Sequence, residues 1–366
     1  MTTLADRLRR LIEEHGPISV ARFMALALAH PGQGYYARRD PLGRAGDFTT
    51  APEISQLFGE LIGLCLAQHW LDLGRPPRVL LVELGPGRGT LMADALRAAR
   101  IVPGFRDAAA VHLIETSPAL RERQAAALPG VAARWHDELR GVPEDAPILL
   151  VANEFLDALP IRQFVRHAGR WRERLVTVDE EGRFRFVLAP RATPMPAIAD
   201  PATDALPDGT LLELGPAREA VAEAIAQRVV AQGGLALLID YGRAEPLMLG
   251  DTFQAVRAHH KVDPLTMPGE TDLSAHVDFA SLARRARAAG AEAHGAVAQG
   301  LLLQRLGIGL RLHRLLQRAD EAQRELLLGG AARLTQPDQM GELFQALAFT
   351  APGAPIPPGF ADEPPA

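Results

Sequence analysis

The 366-residue chain has one cysteine, one lysine and few aromatic residues, 5% in all. Cys65 alone cannot close an internal disulfide, and a single thiol without a Cys or His cluster beside it cannot build a structural zinc site. A reducing compartment suits such a chain. No apolar run reaches the roughly eighteen residues that a membrane-spanning helix needs. The opening MTTLADRLRRLIEEHGPIS lacks an apolar signal core and carries Asp6, Glu13 and Glu14, so neither a secretory signal nor a transit peptide is expected. Basic excess is also missing. Lys plus Arg is 39 against 44 for Asp plus Glu, a net charge of −5, and Lys261 is the only lysine. A protein that works by gripping a nucleic-acid backbone is therefore not expected. His259 and His260 are adjacent and point apart, so no shared metal ion is expected.

The length suggests two or three packing units. Leu4, Leu8, Leu11 and Ile12 fall on one helical face, and Ser19 is placed to cap a second apolar helix running to about residue 30. A long Gly/Pro/Asp-punctuated loop follows, residues 31–52, then a helix over 53–73. From residue 78 strands and helices alternate, with strands at 78–84, 111–115, near Trp135 and at 148–153, and helices at 91–100 and 118–128. This alternation implies an α/β fold, a doubly wound, mostly parallel sheet covered on both faces. Residues 161–187 read as an antiparallel insertion in which the arginines from Arg162 to Arg174 form a solvated hairpin face, and 188–209 as irregular. A helix over 216–231 and a strand over 235–240 resume the sheet, and 276–349 is largely helical by period. The proline-rich end is expected to fray. The organisation expected is thus N-terminal helices with a loop (1–75), a sheet core (76–160 and 210–260), an insertion (161–209), helical elements with a final strand (261–350) and a flexible tail (351–366).

The most informative segment is VLLVELGPGRGTL, residues 79–91. A buried strand ends on Glu83 and turns through Gly85, Gly87 and Gly89 into a helix, so backbone N–H groups face a ligand at the carboxyl edge of the sheet. Dinucleotide binding wants a third glycine at position 90, where this chain has Thr90. The G-x-G-x-G spacing, with an acid two residues before it, resembles the first motif of class I S-adenosylmethionine-dependent methyltransferases. Glu115, ending the next strand, can accept both hydroxyls of a ribose, and Asp137, ending the third, can accept from an adenine amine; both can equally be helix-start charges. Asn153, Glu154 and Asp157 emerge after the fourth strand, where two carboxylates four residues apart could form a fork for a planar cation such as guanidinium. The early loop adds Tyr35, Tyr36, Asp47, Phe48, Thr49, Thr50 and Glu53, a local aromatic and acidic enrichment suited to a lid or to anchoring the loop on the core. ELGP recurs at 213–216 without the following glycines and reads as a plain strand-to-helix junction.

Six segments together are similar to the MidA family: GYY at 34–36, GDFTTAPEISQLFGE at 46–60, ELGPGRGTL at 83–91, ANEFLDALPIRQF at 152–164, IDYG at 239–242 and DLSAHVDF at 272–279. The resemblance covers nearly the whole chain and departs only at Leu156 and Ser274, where Phe and Thr are expected. It implies a class I methyltransferase fold that is Rossmann-like, with added helical and inserted elements. It also implies S-adenosyl-L-methionine as cofactor and a protein substrate, by likeness to the family's mitochondrial members an arginine of a respiratory complex I peripheral-arm subunit, symmetrically dimethylated during assembly. The family's cofactor motif falls on Glu83, Gly85, Gly87 and Gly89, and its polar post-strand motif on Asn153 and Glu154. The cofactor set expected is therefore Glu83, Gly85, Gly87, Gly89, Thr90, Glu115, Asp137 and Asn153. The acceptor-side set is Glu154, Asn153, Asp157, Asp47 and Glu53, in a bacterial cytoplasmic enzyme. A non-catalytic assembly chaperone that binds the same cofactor, a methyltransferase acting on a small molecule, and an NAD-dependent oxidoreductase are the alternatives.

Overall fold

Val79–Leu84 is buried at every position, including Glu83, which a strand achieves only when layers cover both of its faces. Ile148–Asn153 is buried throughout in the same way. The computed structural model describes residues 2–38, 50–194, 203, 205–245, 247–257 and 260–361. It divides into two compact units.

The first unit comprises Thr49–Leu156, Ala222–Ala244 and Leu282–Ala366. Its sheet contains β1 (Val79–Leu84), β2 (Ala109–Ile114), β3 (Arg134–His136), β4 (Ile148–Asn153), β5 (Gly234–Arg243), β6 (Glu292–Ala298) and β7 (Phe344–Thr350). Their order is β3-β2-β1-β4-β5-β7-β6. The first five are mutually parallel, while β7 runs antiparallel to both of its neighbours. A simple dinucleotide fold would instead continue with a sixth parallel strand, so the reversed β7 is a topological departure from that class. The order also reverses between β1 and β4, which opens the crevice at their carboxyl ends.

The helices follow local rules. The expected helix over 53–73 is two helices, α1 (Ala51–Ile54) and α2 (Gln56–Asp72), because Ser55 is extended and its hydroxyl accepts from the Leu57 amide to cap α2. α2 is buried nearly all round, and Gly63 lets it approach α3 (Thr90–Ala98) so closely that a Cβ there would sit 2.3 Å from Ala95 Cα. Glu60 on α2 is buried but held by Arg97 at 2.9 Å and Arg311 at 2.7 Å. These bonds pull its carboxyl below the usual range against the cost of burial.

Two expectations for the C-terminal region change. Residues 276–349 are not only helical: β6 lies among them, a half-polar edge strand whose short EAHGAVA pattern carries little strand signal. The proline-rich end does not fray before Phe360, since a turn from the Pro357 carbonyl to the Phe360 amide delivers that ring into the main core. Arg305 donates to the Gly359 carbonyl at 3.1 Å and secures the same segment.

The second unit comprises Met1–Phe48, Asp157–Val221 and Glu245–Ser281. Leu4–His15 starts at a reciprocal cap between Thr3 and Asp6, and its apolar face joins Val20, Phe23 and Met24 in a cluster with Val176 and Leu273. Where composition grouped residues 1–75, hydrophobic contact joins residues between Leu4 and Tyr36 to Ile161, Val176, Phe184 and Phe186 of the insertion. The insertion is antiparallel as expected: Arg162–His167 pairs with Arg170–Val178 and with Leu211–Leu214. Among its arginines Arg170 is exposed, but Arg162 and Arg174 are not part of a solvated face. Arg162 makes a two-pronged pair with Glu173 at 2.8 and 2.7 Å, and Arg174 bonds Asp251 at 2.6 Å while stacking over Phe186. Tyr35 is buried in this unit's core with its ring edge-on to Tyr36 at 5.4 Å, which makes it an anchor.

Candidate cofactor and active site

β1 ends at Leu84, and the chain passes through Gly85, Gly87 and Gly89 with φ of +62°, +53° and +83° before α3 begins at Thr90. Gly89 is the N-cap of α3 in the left-handed region, a conformation that a β-branched residue resists. The turn is fixed from outside by Gln124, on α4 (Pro118–Ala127). Its amide donates to the Gly87 carbonyl at 2.8 Å and to Glu115 Oε2 at 3.3 Å, and its oxygen accepts from Trp135 Nε1 at 2.8 Å. The sequence reading missed Gln124. The available signal was a glutamine four residues after Leu120, on the buried side of an otherwise polar helix.

Three strand ends carry acids around this turn. Glu83 is buried, its Oε2 has no hydrogen-bond partner, and burial pushes its carboxyl up to about 8. Glu115 is half-buried; burial raises its pKa although the Ser117 amide donates to Oε1 at 2.8 Å. Asp137 has a side chain 78% exposed and pairs with Arg121 at 2.7 Å. The same Arg121 donates through Nε to the Glu115 carbonyl at 2.8 Å. The ends of β2 and β3 are thereby tied together.

After β4 the chain enters a polar loop in which Glu154 adopts φ +49°, a strained value for a non-glycine residue that costs about 1–3 kcal/mol. Such strain persists only where surrounding bonds determine it. Glu154 donates its amide to Ile239 O at 2.9 Å, and its Oε1 accepts from the Ala51 amide at 2.7 Å and from Asn153 Nδ2 at 3.2 Å. Asp240 on β5 holds the next residues by accepting from the Leu156 amide at 2.9 Å. Asn153 Oδ1 is buried and unpartnered.

The Ala51 contact brings in the early loop. Thr50, the N-cap of α1, makes no side-chain cap, and Glu154 satisfies the first amide of α1 in its place. From α1, Glu53 accepts a hydrogen bond from the Thr90 hydroxyl and lies 3.7 Å from Arg88. Glu53, Thr90, Asn153 and Glu154, dispersed in sequence, are thus joined through α1. Asp157 falls in the second unit, where its carbonyl accepts from Arg218 at 2.8 Å. Asp47, Phe48, Thr49 and His259 lie outside the described residues.

Two buried oxygens without donors, Glu83 Oε2 and Asn153 Oδ1, sit at the carboxyl ends of neighbouring strands. They suit a ligand that brings its own N–H and O–H groups. An amino acid joined to a nucleoside has such groups, and the turn lacks the third glycine of a pyrophosphate cradle. The class so defined is the S-adenosylmethionine-dependent methyltransferases of class I fold.

Residues 61–297 match the family described as "Putative S-adenosyl-L-methionine-dependent methyltransferase". The chain belongs to that family, the MidA family of the sequence reading, and its cofactor is S-adenosylmethionine. It is 39% identical to the mitochondrial protein arginine methyltransferase NDUFAF7 homolog of Drosophila melanogaster, over 95% of this chain and 84% of that protein. It is 37% identical to the mitochondrial protein arginine methyltransferase NDUFAF7 of Homo sapiens, over 95% of this chain and 83% of that one. A Burkholderia thailandensis protein crystallised with S-adenosyl-homocysteine superposes with a TM-score of 0.82 at 29% identity, covering 99% of this chain and 95% of that structure. The nicotinamide alternative is set aside by these relationships. Among the described residues no helix is long and apolar enough to cross a membrane, and no group of three or more His, Cys, Asp or Glu could hold a metal ion.

Proposed function

We propose that this enzyme methylates a protein arginine, symmetrically dimethylating it, and that the acceptor is a peripheral-arm subunit of respiratory complex I undergoing assembly in the bacterial cytoplasm. The names of the relatives support the arginine, and the family resemblance supports the subunit. The observation that carries the reading is that Glu154, beside Asn153 at the carboxyl edge of the sheet, caps the short helix that carries Glu53. In this reading Glu83, Gly85, Gly87, Gly89, Thr90, Glu115, Asp137 and Asn153 hold the cofactor.

When bound, S-adenosylmethionine supplies an electrophilic methyl group. A guanidinium is protonated at neutral pH and is a poor nucleophile until carboxylates orient it and take its proton. We assign this role to Glu154. Its strained backbone aims the side chain at the α1 amide, and Asn153 fixes its Oε1. Glu53, carried by the helix that Glu154 caps, is the second acceptor-side carboxylate of the proposal. Glu154→Gln keeps an oxygen for the Ala51 amide but cannot take a proton. We expect it to bind S-adenosylhomocysteine within about threefold of wild type while methylation of the recombinant subunit falls by about 100-fold or more. Loss of cofactor binding together with turnover would overturn the acceptor-side role.

A further inference from the structure

The cofactor of this family ends in an amino acid, and its carboxylate needs a cationic partner or helix amides when taken from water. Arg88, inside the glycine turn, is the one basic residue among 85–90. Its side chain is 29% exposed, so it is neither sealed in the core nor loose in solvent. Glu53 lies 3.7 Å from Arg88 and accepts from Thr90, the first residue of α3, so one carboxylate aligns the arginine with the positive end of a nine-residue helix. Glu53 is in turn held in place because Glu154 caps the helix that carries it.

We infer that Arg88, aligned by Glu53, receives the carboxylate at the amino-acid end of the cofactor, so that this pair selects for a cofactor bearing that group. The inference rests on the cofactor site proposed above. Arg88 is then a binding residue. Glu53 is a positioning residue for the cofactor as well as a neighbour of the acceptor side.

The test is calorimetric titration of the full chain with S-adenosylhomocysteine and with 5′-methylthioadenosine, which keeps the nucleoside and lacks the amino acid. Arg88→Gln is expected to weaken the first ligand by about 10- to 100-fold and to leave the second within about threefold. Arg88→Lys, which keeps the charge, should recover most of the loss, and Glu53→Gln should weaken the first ligand by about three- to tenfold. Equal losses for both ligands would mean that the variant merely disturbs the turn, and no loss for either would mean that Arg88 is a bystander; each overturns the inference while leaving the cofactor site standing. A wild-type chain that binds neither ligand would overturn the site itself.

Discussion

The tetrapeptide ELGP occurs twice, at residues 83–86 and 213–216, each time at the end of a buried strand that leads towards a helix. Both glutamates are 3% exposed. Their surroundings are opposite. Glu213 accepts from Gln163 Nε2 at 2.7 Å, from the Thr252 amide at 3.1 Å and from the Thr252 hydroxyl, and Arg218 lies so close that a Cβ on Gly215 would meet its Cδ at 2.8 Å. That arginine donates to the carbonyls of Asp157, Leu159, Ala275 and His276. At the first copy, where Arg88 stands in the place of Arg218, Glu83 Oε2 has no donor among the described residues, and Gly87 and Gly89 follow where the second copy has Ala217 and Glu219. One junction is satisfied by the protein alone. The other leaves a buried carboxylate oxygen without a donor.

Valine at Gly87 should break the contrast most severely, since a β-branched residue at φ +53° must distort the turn. S-Adenosylhomocysteine affinity should fall by about 100-fold or more, whereas Gly215→Ala, which crowds the stem of Arg218 in the second unit, should leave it unchanged. Retained affinity in the first variant would show that the turn is not the cofactor cradle.

The unsatisfied acid has a pH signature. Burial holds Glu83 protonated up to about pH 8 in the ligand-free fold, while in the unfolded chain it ionises near 4.5. Between those values the folded state binds more protons, so this group's contribution to stability is full below about 4.5 and is lost as pH rises through about 8. Denaturant unfolding across this window should show a decline on the order of a few kcal/mol that Glu83→Gln flattens. A cationic amine placed by the cofactor near Glu83 would favour the carboxylate, so titrations below pH 8 in buffers of different ionisation heat should detect proton release. A buffer-independent heat would count against that placement.

A smaller effect is expected at the satisfied copy. Glu213→Ala strands the donors of Gln163 and Thr252 and should cost about 1–3 kcal/mol in unfolding free energy, with cofactor affinity unaltered. Smallest of all, Asp137→Asn, at an exposed ion pair, should weaken affinity by only about threefold, measured by the same titration. No loss at all would remove Asp137 from the proposed cofactor set.

Local sequence determined much of this protein. The strands at 79–84, 109–114 and 148–153 and the glycine turn follow from apolar runs and from left-handed backbone angles that glycine adopts freely, both short-range properties. The motifs also carry the family. Tertiary structure alone decided the rest. That Glu154 caps the helix beginning at Ala51, that Gln124 ties Gly87 to Glu115, and that Phe360 closes the core beneath a proline-rich end are contacts between residues far apart in the chain. No periodicity or propensity encodes such pairs, because each partner is locally compatible with many environments and only the packing of strands and helices selects one. The two ELGP copies make the same point: the strand ending is written in four residues, but whether its acid is satisfied depends on what the fold brings to it.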